Sequence, residues 1–119
     1  MAGMRRHEFE EIVDDVLDGL PDWVLDRVDN LVVSVEDRPT TEQDPEGSLL
    51  GLYEGVSLLE RSGEYWGVTP DQITIFRLPH LELGLALNEL REEIRRTVLH
   101  EIAHYLGIED GRLHELGWD

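Results

Sequence analysis

In the stretch "HEIAHYLGIED", His100 and His104 stand four residues apart and Glu101 directly follows the first. They are two of only five histidines in 119 residues. At about 100° per residue, positions four apart share one face of a helix. Two imidazoles so placed can both reach one divalent cation, at about 2.0–2.1 Å for zinc. Glu101 lies about 100° round the helix from His100, beside the ligand face rather than on it. From there it need not ligate, and it can accept a hydrogen bond from a water at the metal. The neighbours Val98, Leu99, Ile102, Ala103, Tyr105 and Leu106 are apolar on all sides, the pattern of a buried helix. An unpaired carboxylate in such a helix is costly, so these polar groups need a partner.

The pattern continues past His104. Gly107 suits the left-handed residue that ends a helix and turns the chain. Asp110, three residues on, is then expected to return as a third ligand, with oxygen ligation at about 2.0–2.2 Å. The fourth position would stay open for water, as in catalytic zinc sites. HExxH alone arises by chance in roughly a few per cent of chains of this composition, and the added Gly and Asp lower that to roughly a few per ten thousand. The competing reading of Asp110 is a turn or capping residue, because "EDG" is also a turn signal. His114 is the rival third ligand if the tail folds back. Tyr105 reads as core, although a phenol near a metal can also support an oxyanion. Glu109 and Glu115 read as solvated charges, His7 and His80 as surface residues, and Trp23, Trp66 and Trp118 as core or edge packing.

The elements that must carry this helix follow from periodicity. Phe9, Ile12, Val13, Val16, Leu17 and Leu20 predict an amphipathic helix over 6–20. Residues 21–30, opened by Pro21, predict a shorter helix. "LVVSVED" (31–37) predicts a strand, and the acidic, proline-bearing 37–48 a surface loop. "LLGLYEG" (49–55) predicts a short strand bracketed by glycines. Residues 56–71 read as irregular. "QITIFRLP" (72–79) predicts a strand stopped by Pro79. A long helix is expected from Leu85 to Leu106, with Glu92 and Arg96 as an i,i+4 pair. The tail over 110–119 can hold one more short helix.

The net charge is −17, from 27 acidic and 10 basic residues. Such a surface repels nucleic acid and anionic membranes, so neither is expected as a partner. There is no cysteine, which excludes disulfides and thiolate zinc ligation. No stretch reads as a signal peptide or approaches the length of a membrane span, so a cytoplasmic location is expected. The length, with no repeat or linker, predicts one domain over 1–119.

"HEIAHYLGIED" resembles the extended motif HExxHxxGxxH/D of metzincin-type zincin proteases, with Asp in place of the usual third His. A closer resemblance is to a family of small bacterial predicted metallopeptidases with a minimal zincin, matrix-metalloprotease-like domain. "LLGLYEG", "ITIFR" and "HEIAHYLGIEDGRLHELGW" carry it, about a third of the chain. The resemblance implies an α+β fold: a small mixed sheet packed on an active-site helix, with helices preceding it at the N-terminus. It implies Zn2+ held by His100, His104 and Asp110, Glu101 as general base, and a peptide or protein substrate lying along an exposed strand edge, for which "LLGLYEG" is the candidate. The chain departs from metzincins in having no methionine after Met4, hence no methionine turn, and in lacking the C-terminal subdomain that forms half of the usual cleft. That departure favours an alternative, a zinc-containing peptide- or protein-binding module with little turnover. A histidine-based zinc nuclease is a third reading, opposed by the charge and by the glutamate.

Overall fold

The computed structural model describes residues 4–55 and 70–118, apart from the side chain of Asp110. Most of the stretch expected to be irregular, 56–69 with Trp66, lies outside the described residues. The elements run α1 (Arg6–Asp18), α2 (Asp22–Leu25), β1 (Leu31–Glu36), β2 (Gly51–Glu54), β3 (Asp71–Phe76), α3 (Arg77–Leu81), α4 (Leu87–Leu106) and α5 (Asp110–Leu116). The strands form one mixed sheet in the order β1-β3-β2, with β1 parallel and β2 antiparallel to the central β3. This is the expected α+β class, with three strands among the described residues forming a mixed sheet backed by helices. Among the described residues no helix is long and apolar enough to cross a membrane.

The core forms where α4 meets the sheet and α1. Ile73 and Ile75 of β3, Val35 of β1, Phe9 and Val13 of α1, and Ile94, Val98 and Ile102 of α4 are all buried in one cluster. Burying an aliphatic side chain of this kind contributes about 1.5–3 kcal/mol, so this seam outweighs any surface pair. β3 is buried on both faces, since Thr74 and Phe76 are as covered as Ile73 and Ile75. Tyr105, buried as expected, ties the end of α4 to the turn before β1. Its hydroxyl donates to the Asp29 carbonyl and accepts from the Asp29 N–H, both at 2.7 Å. The phenol is therefore committed to the backbone, not free to support an oxyanion. Asn30, next along, takes a positive φ of 56°, the turn that carries the chain into β1. That turn also explains why the second helix is only four residues long and not the ten expected.

The two sheet edges differ. On β1 the Arg6 guanidinium donates to the Val35 carbonyl, with Glu10 and Glu36 beside it. A charged side chain on an edge carbonyl blocks strand addition there. On β2 the pairing is fixed by Phe76 N–H donating to Leu50 O at 2.9 Å, which continues the register Leu52↔Thr74 and Glu54↔Gln72. Antiparallel pairs alternate, so the N–H and C=O of Gly51 and Tyr53 point away from β3.

Two expectations fail around Pro79. The strand stops at Phe76, and Arg77–Leu81 form α3 with Pro79 inside it. Pro79 is the third residue of that helix, where the missing N–H would have no intrahelical partner anyway. His80 is consequently not a surface residue. It is fully buried, against the ring of Phe9 at 5.4 Å between centroids. Its Nδ1 lies 2.7 Å from Phe76 O and its Nε2 2.9 Å from Thr97 Oγ1. A carbonyl only accepts, so Nδ1 carries the proton. On α4, Glu92 pairs with Arg95 and Glu93 with Arg96, so the expected Glu92–Arg96 pair gives way to i,i+3 neighbours.

Burial holds the His80 imidazole below its ordinary pKa, against smaller opposing effects of Phe76 O and the Glu93 charge. In the unfolded chain His80 takes up a proton near the usual value of about 6.5. Over the range just below that, the unfolded state binds more protons than the native one, so stability falls as pH is lowered. Urea midpoints measured from neutral pH down to about 5 should drop more steeply in wild type than in His80→Gln. Parallel slopes would show that His80 is not buried neutral.

Candidate metal centre

The helix that carries the motif is built to end at the site. At its start, Glu89 accepts from the Ala86 N–H at 3.3 Å. At its end, Gly107 takes φ 79°, its N–H donates to His104 O at 3.1 Å, and Ile108 N–H reaches Ala103 O at 2.9 Å. This double closure is a Schellman motif, and it needs the left-handed glycine that the sequence placed there. The same closure recurs at Gly117, where Trp118 N–H donates to Leu113 O at 2.9 Å.

In the last two turns α4 divides into a packed side and a side open to a cleft. Val98, Leu99, Ile102, Ala103 and Tyr105 are buried, whereas His100 is half-buried and His104 exposed. Their rings stand 4.5 Å apart, nearly perpendicular. Glu101 is only 7% exposed. Its Oε1 lies 3.2 Å from His104 Nδ1. Glu101 is thus closer to the ligand face than helix angles alone suggest, because its side chain bends along the helix towards His104. One ligand atom from each of His100, Glu101 and His104 lies within 4.8 Å of the others, and no other described residue joins this cluster.

The donor set fits a divalent ion. A carboxylate accepts from Nδ1–H, which leaves the Nε2 lone pair of His104 for a metal; a carboxylate on the distal nitrogen is the usual way a ligating imidazole is oriented. The C-terminal turn of a helix also favours a cation through its exposed carbonyls. Asp110 is the first residue of α5, three after Gly107, and its side chain lies outside the described part of the structure. His114, the rival ligand, is exposed on α5 and stands outside the cluster.

A cleft of about 540 Å³ opens over His100 and Glu101, walled by Leu49, Leu50, Gly51, Thr97 and Trp118. β2 forms one side of it, and Gly51 allows β2 to lie very close to the helix. A Cβ there would sit 2.7 Å from Thr97 Cγ2 and 3.2 Å from Glu101 Cγ. The loop before β2 is ordered by Asp44, whose carboxylate accepts the N–H groups of Glu46, Ser48 and Leu49. Burial opposes its charge, but those donors outweigh it and hold its carboxyl below the usual range. A larger groove of about 770 Å³ lies between α1 and α4 but holds no ligating cluster.

Sequence reasoning brought His100, Glu101 and His104 to one place. It missed Thr97, whose only signal is its position one turn before His100 on the same face. It also missed Trp118 and Asp44 as parts of the cleft. Trp118 is nearly buried and stacked at 6.0 Å on the more exposed Trp23, so the core-or-edge reading holds for both.

The described residues form an α+β domain that carries an HExxH helix beside a mixed sheet. The model of the zincin-like metallopeptidase family matches residues 28–118, and the chain belongs to that family. No curated protein matches the chain.

The cluster makes both imidazoles candidate ligands. His100→Ala and His104→Ala should each weaken zinc binding by more than about a hundredfold in competition with a chromogenic chelator. Affinity within a few-fold of wild type in either variant would remove that histidine from the ligand set.

Proposed function

We propose that this chain is a zinc-dependent peptidase. The observation that supports it best is the buried Glu101 carboxylate, clustered with two imidazoles beside a cleft that β2 walls on one side. His100 and His104 would hold the ion, with Asp110 as third ligand. Bound there, zinc supplies a Lewis acid that polarises a carbonyl and lowers the pKa of water.

The remaining chemistry belongs to the chain. An extended peptide lies along β2, hydrogen-bonded to the outward-facing N–H and C=O of Gly51, a form of strand addition. Gly51 touches Glu101, so that register brings a peptide carbonyl over the carboxylate. Glu101 is the general base: it accepts a proton from the attacking water and delivers it to the leaving amine. Its contact with His104 keeps the carboxylate facing the cleft. The apolar cleft wall excludes bulk water, which strengthens these electrostatic interactions.

Glu101→Gln keeps the shape and removes the base. It should lower kcat for an unstructured peptide by about 10²–10⁴-fold, while zinc content stays at the wild-type level. A variant that keeps both metal and turnover would contradict the role of Glu101. A wild type that binds peptide without cleaving it would favour a binding module.

A further inference from the structure

His80 has no part in the mechanism above, yet it is fully buried and both of its ring nitrogens are engaged. The engagement leads to the site in two steps. Nδ1–H is committed to Phe76 O, so a neutral ring offers Nε2 only as an acceptor. The partner of Nε2 is Thr97 Oγ1, which also lies 3.0 Å from Glu93 O. The hydroxyl has one proton, and an acceptor Nε2 needs it. Threonine in a helix divides between two χ1 rotamers, because its hydroxyl can also bond back to the preceding turn. The observed rotamer serves both Glu93 O and His80, and the bond to His80 adds to the hold of the back-bond on it. In that rotamer the methyl Cγ2, not the hydroxyl, faces Gly51, at the closest approach of β2 to α4.

We infer that His80 is a positioning residue for the site: by holding Thr97 from behind the helix, it sets the height at which the edge strand β2 passes over Glu101. This rests on the peptidase reading for its consequence, not for its geometry. The helix-facing side of the Gly51 Cα, whose N–H and C=O would bond a peptide, lies against the Thr97 methyl. A turn of Thr97 therefore moves the peptide relative to the carboxylate and leaves the metal ligands in place. The effect falls on kcat more than on zinc affinity.

Two conservative variants separate this role from simple packing. The amide nitrogen of asparagine can replace Nδ1–H as donor, and the amide oxygen of glutamine can replace Nε2 as acceptor. His80→Asn thus keeps the Phe76 bond and loses Thr97, and His80→Gln does the reverse. Both are measured as the zinc-loaded full chain. The readouts are the Gly51 amide resonance, zinc affinity, and kcat and KM on an unstructured peptide. His80→Asn should move the Gly51 resonance and lower kcat about tenfold, and His80→Gln should stay within about threefold of wild type with Gly51 in place. Zinc affinity should be alike in all three. A Gly51 resonance that is unmoved in His80→Asn, or moved equally in both, overturns the proposal. An inert wild type whose Gly51 resonance still follows this order supports the hold on the strand and contradicts the peptidase reading instead. The ¹⁵N spectrum of the wild-type ring tests the premise without any variant. It should show Nδ1 protonated and Nε2 accepting a hydrogen bond, and a proton on Nε2 alone overturns the proposal.

Discussion

Polar groups in the last two turns of a packed helix must find partners, and this constraint organises the molecule. Val98, Ile102 and Tyr105 anchor α4 in the core, so it cannot rotate to hydrate Glu101. The carboxylate instead finds His104, and His100 lines the cleft. What packs the helix on one side therefore fixes the geometry of its chemistry on the other. An unsatisfied buried carboxylate would cost more than most single contacts here contribute, so neither side can be changed independently.

The sheet serves the same end through its edges. Arg6 closes β1, and β2 runs beside the turns of α4 that carry His100 and Glu101. Gly51 is the point of contact. Its missing side chain lets a strand backbone come within reach of Glu101, and any larger residue would push the strand off the helix. The strand β2 and the Glu101 carboxylate are thus coupled by one absent Cβ. The loop before β2, ordered by Asp44, fixes the approach of that strand from the other direction.

What could be read in the sequence was what local physics determines. The course of α4, the left-handed Gly107 and the β-branched β1 all follow from short-range periodicity and backbone freedom. The HExxH triad was legible because its spacing carries its own geometry. What escaped was set by tertiary contacts. Pro79 reads as a strand stop, but proline is equally at home in the first turn of a helix, and only the packing of α3 on α4 decides between them. His80 then follows Pro79 into the interior, where Phe76 O and Thr97 satisfy it. No residue near it in sequence announces that. The Asp110 side chain, by contrast, has its place suggested by spacing alone.

The account rests on the imidazole pair of α4 embracing one cation. X-ray absorption at the zinc edge, on the zinc-loaded full chain, tests this most directly. Nitrogen and oxygen ligands at about 2.0–2.1 Å should appear with the outer-shell scattering of two imidazoles, falling to one in His100→Ala. A chain that retains no zinc, or a shell of oxygen without imidazole scattering, would contradict it.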